Sequence, residues 1–318
     1  MGIIDTLTAG FDLVRRRLWM LLLPVALDIA LWVAPKLSIF TLLQSLWHTL
    51  LDEATATGAA TPTMLQTIQE ALPDMVQAAK DLDLSLLLPL ASPGVPLFPV
   101  APTTAFFGLT KQVIELAGGP SLVALAAGLV LGGLLIGTFY MALIAHAVRD
   151  GRVDWPLLLQ QVPRYWLRLV GAGLVVLVGL VSFGLPAGML IGVFGLVSPG
   201  LASFLVAILS FLIFWVLLYM VFVPEAIIFS DDGIMKAIWR SAIIMRTSFW
   251  PALGLILLSY IISAGLAFVW DLLAATAPGA LVALAGSAFV GTGLTAALFI
   301  FYRERLRAPM WTPEPRRS

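Results

Sequence analysis

The sequence predicts an all-α polytopic membrane protein: six transmembrane helices, amphipathic interfacial helices and one large outer loop. Three observations predict it. First, 60% of the 318 residues are hydrophobic and only 11% charged, with a mean hydropathy of +1.01. Soluble domains carry about a quarter charged residues, so this chain lacks the charge to cover a water-facing surface. Second, six stretches reach the roughly 20 apolar residues that a membrane-crossing helix needs: 18–40, 121–147, 167–192, 202–228, 249–275 and 281–302. Third, the cations segregate. With the N-terminus inside, fifteen of the eighteen basic residues fall on the cytoplasmic side, and only Lys36, Lys80 and Lys111 lie outside. The positive-inside rule then places both termini in the cytoplasm of a cell (inner or plasma) membrane.

Composition also excludes classes of function. A formal net charge of +0 leaves no basic surface for nucleic acid. Zero Cys removes disulfides, thiolate metal sites and a Cys nucleophile, and two His cannot make a three-His zinc centre. No HExxH, GxSxG or Gly-Lys phosphate loop is present. Gly291-Thr-Gly293-Leu-Thr-Ala296 imitates a dinucleotide fingerprint but lies inside an apolar span and follows no strand. No enzyme activity, cofactor or metal is expected.

Taken in order, residues 1–17 form an amphipathic interfacial helix, with Ile3, Ile4, Leu7, Phe11, Val14 and Leu18 along one face before the cluster Arg15–Arg17. The first span lies within 18–42. No A-x-A-like site closes it, so it is expected to stay as an anchor. Residues 43–120 form the outer loop, with helices at about 63–81 (kinked at Pro73) and 104–117 (capped by Thr103 or Thr104, with a Lys111–Glu115 pair). Between them, 84–109 is apolar but carries Pro89, Pro93, Pro96, Pro99 and Pro102. Proline removes amide donors and hydrocarbon offers no replacements, so this stretch is expected as an extended segment on the outer surface. Seven acids (Asp52, Glu53, Glu70, Asp74, Asp81, Asp83 and Glu115) make the loop net negative, as a cap over the bundle.

Residues 121–302 hold the remaining five spans, with further interfacial helices near 153–166 and 233–246, and a basic tail follows at 303–318. The interfacial helices repeat. At an offset of 231, Gly2 matches Gly233, Arg15 matches Arg246 and Trp19 matches Trp250, while Tyr165–Trp166 begins the middle span as Phe249–Trp250 begins the later one. Three like-oriented helical hairpins around an axis normal to the membrane are implied. Asp231 and Asp232 stand where an N-cap belongs. On 233–246, Ile234, Met235, Ile238, Trp239, Ala242 and Met245 make the apolar stripe. Lys236 and Arg240 lie opposite and are expected to face headgroup phosphates, with Trp239 and Trp250 at the interface.

Within the spans, Gly184, Gly188 and Gly192, Gly128 and Gly132, Gly133 and Gly137, and Ala283, Ser287, Gly291 and Thr295 form small-residue ridges for close helix packing. Asp28, at mid-depth of the first span, is the candidate intramembrane polar site; a carboxylate there faces protein or water. Glu225, Asp271 and His146 are expected at the interfaces.

Val223-Pro-Glu-Ala-Ile-Ile-Phe-Ser-Asp-Asp-Gly-Ile, Ala237-Ile-Trp-Arg-Ser and Phe249-Trp-Pro together resemble a bacterial pattern. It is that of the membrane domain accompanying some glycerophosphoryl diester phosphodiesterases, and of stand-alone relatives of unknown function, over about 200–265. The resemblance implies a fold type, with no match to the phosphodiesterase barrel itself. The leading expectation is a lipid- or envelope-associated scaffold or accessory protein, partnered by membrane lipids and by a homo-oligomer or membrane-protein complex. The alternative is a permease subunit docking a cytoplasmic ATPase through its interfacial helices. A membrane-embedded lipid enzyme ranks last.

Overall fold

The computed structural model describes residues 2–56, 76–77, 79–80, 82–96, 98, 112–115 and 118–307. The expected Pro73 kink, the Thr103 or Thr104 cap, Lys111 and the tail beyond 307 lie outside them. The chain is an all-α polytopic membrane protein. Its helices are α1 (Ile3–Arg15), α2 (Leu22–Val33, after a 3-10 turn Leu18–Leu21), α3 (Phe40–Ala56), α4 (Leu87–Leu90), α5 (Gly119–Arg149), α6 (Trp155–Val197), α7 (Pro199–Met220), α8 (Val223–Ser230), α9 (Ile234–Thr247), α10 (Phe249–Leu273) and α11 (Ala277–Leu306). The starts are written in the sequence. Asp154, Ser198 and Thr276 each accept a backbone N–H from the first turn of α6, α7 and α11, and each helix carries proline in that turn. The cap satisfies one orphan donor and the proline removes another.

Among the described residues, five helical stretches are long and apolar enough to cross a membrane: Gly119–Arg149, Trp155–Val197, Pro199–Ser230, Phe249–Leu273 and Pro278–Leu306. The expected first span is shorter. Helix ends at Val33, ahead of Pro35, so the apolar piece is Leu18–Val33. At about 1.5 Å per residue, that run covers roughly 24 Å, less than the ~30 Å hydrocarbon core. The chain then enters a short strand, β1 (Lys36–Ser38), parallel to β2 (Val113–Glu115) in the register Lys36↔Val113. The helix expected over 104–117 therefore does not reach its end: 113–115 is extended, and Glu115 accepts the Thr41 hydroxyl. Basic Arg303 and Arg305, assigned to a tail, are the last turn of α11, where Arg303 donates to Val148 O at 2.8 Å.

The middle interfacial helix is not a separate element. Residues 155–166 run unbroken into the span as α6, with Pro163 inside it. The other two remain distinct, and all three interlock in a ring. α1 packs along α11, and Ile3 lodges against Gly254 of α10; a Cβ there would lie 2.7 Å from Ile3 Cδ1. α9 packs on α8 and α7, and its Ile234 lodges against Gly171 of α6 in the same way, at 2.6 Å. The start of α6 packs on α5 and sets Trp155 against Trp19, ring centres 5.5 Å apart. Each unit thus leans on the one before it. The 231-residue offset that pairs Gly2 with Gly233 pairs these two isoleucines as well.

This ring encloses the core at the end of the bundle that holds α1 and the close of α11. Tyr140–Val148, Leu158, Val162, Phe222–Ile228, Ile244, Met245 and Ala296–Tyr302 fill it, with Phe222 stacked on Phe301 at 5.7 Å. The α7–α8 break at Val221–Phe222 is closed by one hydroxyl: Ser241 Oγ accepts from Phe222 N–H at 3.1 Å and donates to Tyr219 O at 2.6 Å. The far arms of α6 and α7, 173–217, contain no buried residue. Consequently Gly184, Gly188 and Gly192 face open space, as does Gly128, and Gly132 meets only Leu88 at ordinary contact distance. The ridges that pack within the chain are others.

Candidate functional site

The described part of the proline-rich stretch does not lie on the outer surface: residues 87–96 and 98 enter the bundle between α2, α5 and α11. Glycines make the seat. A Cβ at Gly133 would lie 2.2 Å from Leu88 O, one at Gly137 2.3 Å from Pro93 Cδ, and one at Gly291 2.0 Å from Pro96 Cβ. The turn itself uses Gly94 at φ +73, and a side chain there would also strike Met141. Hydrocarbon offers no partners, but protein does. Thr295 Oγ1 lies 2.8 Å from Gly94 O and 3.0 Å separates Ser92 Oγ from Gly133 O. Prolines bring no N–H that would need one. The proline density read as excluding this stretch from the membrane is what lets non-helical backbone sit at that depth when walled by protein.

Asp28 fastens the end of this segment. It is 2% exposed, and Phe98 N–H donates to its carboxylate, 3.3 Å from each oxygen. Trp32, one turn on, meets the Phe98 ring edge-on at 6.2 Å. Asp28→Asn keeps an acceptor and is expected to leave the melting temperature in detergent nearly unchanged. Asp28→Leu strands the Phe98 amide and is expected to cost about 1–3 kcal/mol. Equal stability in all three proteins would remove the clasp.

The cations of α9 are placed differently from expectation. Gly233, not an aspartate, is the N-cap. Asp231 adopts the left-handed conformation (φ 54) and takes Arg168 and Arg164 of α6 at 2.5 and 3.4 Å. Asp232, 2% exposed, binds Lys236 at 2.9 Å and Arg240. Lys236 and Arg240 both meet a buried carboxylate of their own chain, Asp232, one turn before Lys236 and about two turns before Arg240. The buried face of α9 is Ala237, Ser241, Ile244 and Met245, so Met235 and Trp239 of the expected stripe point outward. Trp239 and Trp250 are 69% and 77% exposed. Glu225 and His146, expected at the interface, are both buried; His146 Nε2 lies 3.2 Å from Gln161 Oε1 in the α5–α6 contact. Asp271 is exposed.

A lateral pocket of about 360 Å³ opens between α10 and α11, with Gly94, Val95 and Pro96 of the re-entrant segment as its floor. Its walls are apolar (Leu266, Val290, Leu294, Trp270), dotted with the hydroxyls of Ser259, Ser263, Ser287 and Thr295. The composition of the spans did not point to it. The signals available are Ser287, Gly291 and Thr295 of the small-residue ridge on α11, which line it, and Ser259 and Ser263, four residues apart on one face of α10. Among the described residues no group of three or more His, Cys, Asp or Glu is arranged to hold a metal ion. No family model, curated protein or solved structure matches this chain.

Proposed function

We propose that this chain is a non-enzymatic, lipid-associated scaffold or accessory protein of the cell envelope, seated in the cell membrane with both termini in the cytoplasm. The observation that carries the reading is the aromatic belt. Trp19, Trp155, Trp239 and Trp250 are all exposed, one or two on each unit of the ring, at the end where α1 begins. Tryptophan favours headgroup depth, where its ring is in hydrocarbon and its N–H in water. With Arg240 and Lys236 engaged by Asp232, the contact rests on aromatic and Met side chains more than on paired cations.

Because the chain has no Cys, one spin label at Met235→Cys reports the depth of the exposed α9 face in nanodiscs. Strong collision with oxygen and weak collision with a water-soluble nickel chelate are expected; free access to nickel would sink the interfacial reading. Reporter fusions after Gly118 and after Gly151 are expected on opposite sides, with Gly151 cytoplasmic. The reverse orientation would overturn the placement.

The second reading, a permease subunit docking a cytoplasmic ATPase, draws on the re-entrant segment. Discontinuous elements at mid-membrane form substrate sites in many transporters. A co-purifying ATPase whose hydrolysis rises on adding this chain would move the assignment there.

A further inference from the structure

We infer that the lateral pocket between α10 and α11 holds one hydrocarbon chain of a bilayer lipid. This rests on the lipid-associated reading above and names its ligand. Three observations converge on it. None of the lining residues carries a charge, so an ionic headgroup or a polar solute has no counter-charge there. The volume of about 360 Å³ holds roughly a dozen groups of about 30 Å³ each. That is the length of an acyl tail and too small for a whole diacyl lipid. The mouth lies beside Tyr260 and Ser263, exposed on α10 about ten to thirteen residues past Trp250, which is roughly 15–20 Å along the helix. That is chain depth, not headgroup depth.

The floor explains the shape. Pro96 and Val95 keep α10 and α11 apart at this level, whereas nearer the loops Trp270 lies across Gly286 and closes the gap; a Cβ at Gly286 would lie 2.6 Å from that ring.

The test uses the full chain in nanodiscs containing phosphatidylglycerol with a diazirine on its acyl chain, photolysed and mapped by mass spectrometry. Adducts are expected on Ser263, Leu266, Ala267 and Val290. Ala267→Trp, which fills the void, is expected to reduce them several-fold while adducts on the exposed arms of α6 and α7 persist. Ser263→Phe serves the same purpose should that variant fold poorly. Adducts confined to the α6–α7 arms would overturn the pocket assignment. A nickel-accessible label at Met235→Cys with pocket adducts intact would overturn only the interfacial reading, so the two failures are distinguishable.

Discussion

Arg240→Ala is expected to destabilise the protein by about 3–5 kcal/mol, a large share of a typical total of about 5–15 kcal/mol. Lys236→Ala, on the same carboxylate, is expected to cost under about 1 kcal/mol. The difference is burial. Lys236 reaches Asp232 from solvent, with its side chain 67% exposed, whereas Arg240 is 15% exposed and also meets the Tyr302 hydroxyl, which lies 3.0 Å from Ser230 Oγ. Removing Arg240 leaves a carboxylate that is 2% exposed with only a mobile lysine against it. Replacing both charges, as Asp232→Leu with Arg240→Leu, is expected to be milder than Arg240→Ala alone, because no uncompensated charge remains in the core. Thermal unfolding of the three variants beside the unaltered protein in one detergent decides it. Had the two cations served anionic headgroups instead, each would contribute about 1 kcal/mol, the two single variants would be alike, and stability in a neutral detergent would not separate them.

The long helices are legible because hydrophobic length and cap chemistry are local: Asp154, Ser198 and Thr276 each stand beside a proline at a helix start, and the apolar runs follow. Asp28 is legible for the same reason, since one acid in a 16-residue apolar run has nowhere to go but inward. What decides the rest is not local. Pro89, Pro93 and Pro96 exclude a continuous spanning helix and leave only the single turn α4, but their place inside the bundle depends on Gly133, Gly137 and Gly291, which lie from tens of residues to nearly two hundred away in the chain. Seen separately, the prolines read as surface and the glycines as helix-packing ridges; only together do they read as a wedge and its seat. Lys236 and Arg240 show a different failure. Asp232 stands four residues before Lys236, a helix-compatible ion-pair spacing, but sequence does not say which of two adjacent aspartates turns inward. Asp231 went to α6 and Asp232 to the core. Of the apolar face expected for α1, Leu7 and Val14 are buried, but Ile4 and Leu18 are exposed, and Thr6 and Gly10 complete the buried side where α1 packs along α11.

Gly10→Ala is expected to lower stability by about 1–3 kcal/mol or more, although alanine is the better helix former. Gly10 lies where α1 crosses α11, facing Gly293 and Ala297. A Cβ at this position would be 2.4 Å from Gly293 O and 2.8 Å from Ala297 N. Both are backbone atoms, so no rotamer change relieves the overlap and the two helices must separate. Separation opens the closing joint of the three-unit ring, since α1 is held also through Phe11 on Phe289, 5.8 Å between rings, and on Gly293. Tryptic cleavage at Arg15–Arg17 should then rise in the variant. Two controls fix the cause. Gly254→Ala meets only the flexible end of Ile3, so it should be mild. Gly184→Ala and Gly188→Ala meet nothing within 4 Å and should be neutral, or stabilising by up to about 1 kcal/mol through helix propensity. One substitution thus changes sign with the surroundings of its Cβ. A Gly10→Ala protein as stable as Gly188→Ala, with α1 no more open to trypsin, would show that α1 is not docked on α11.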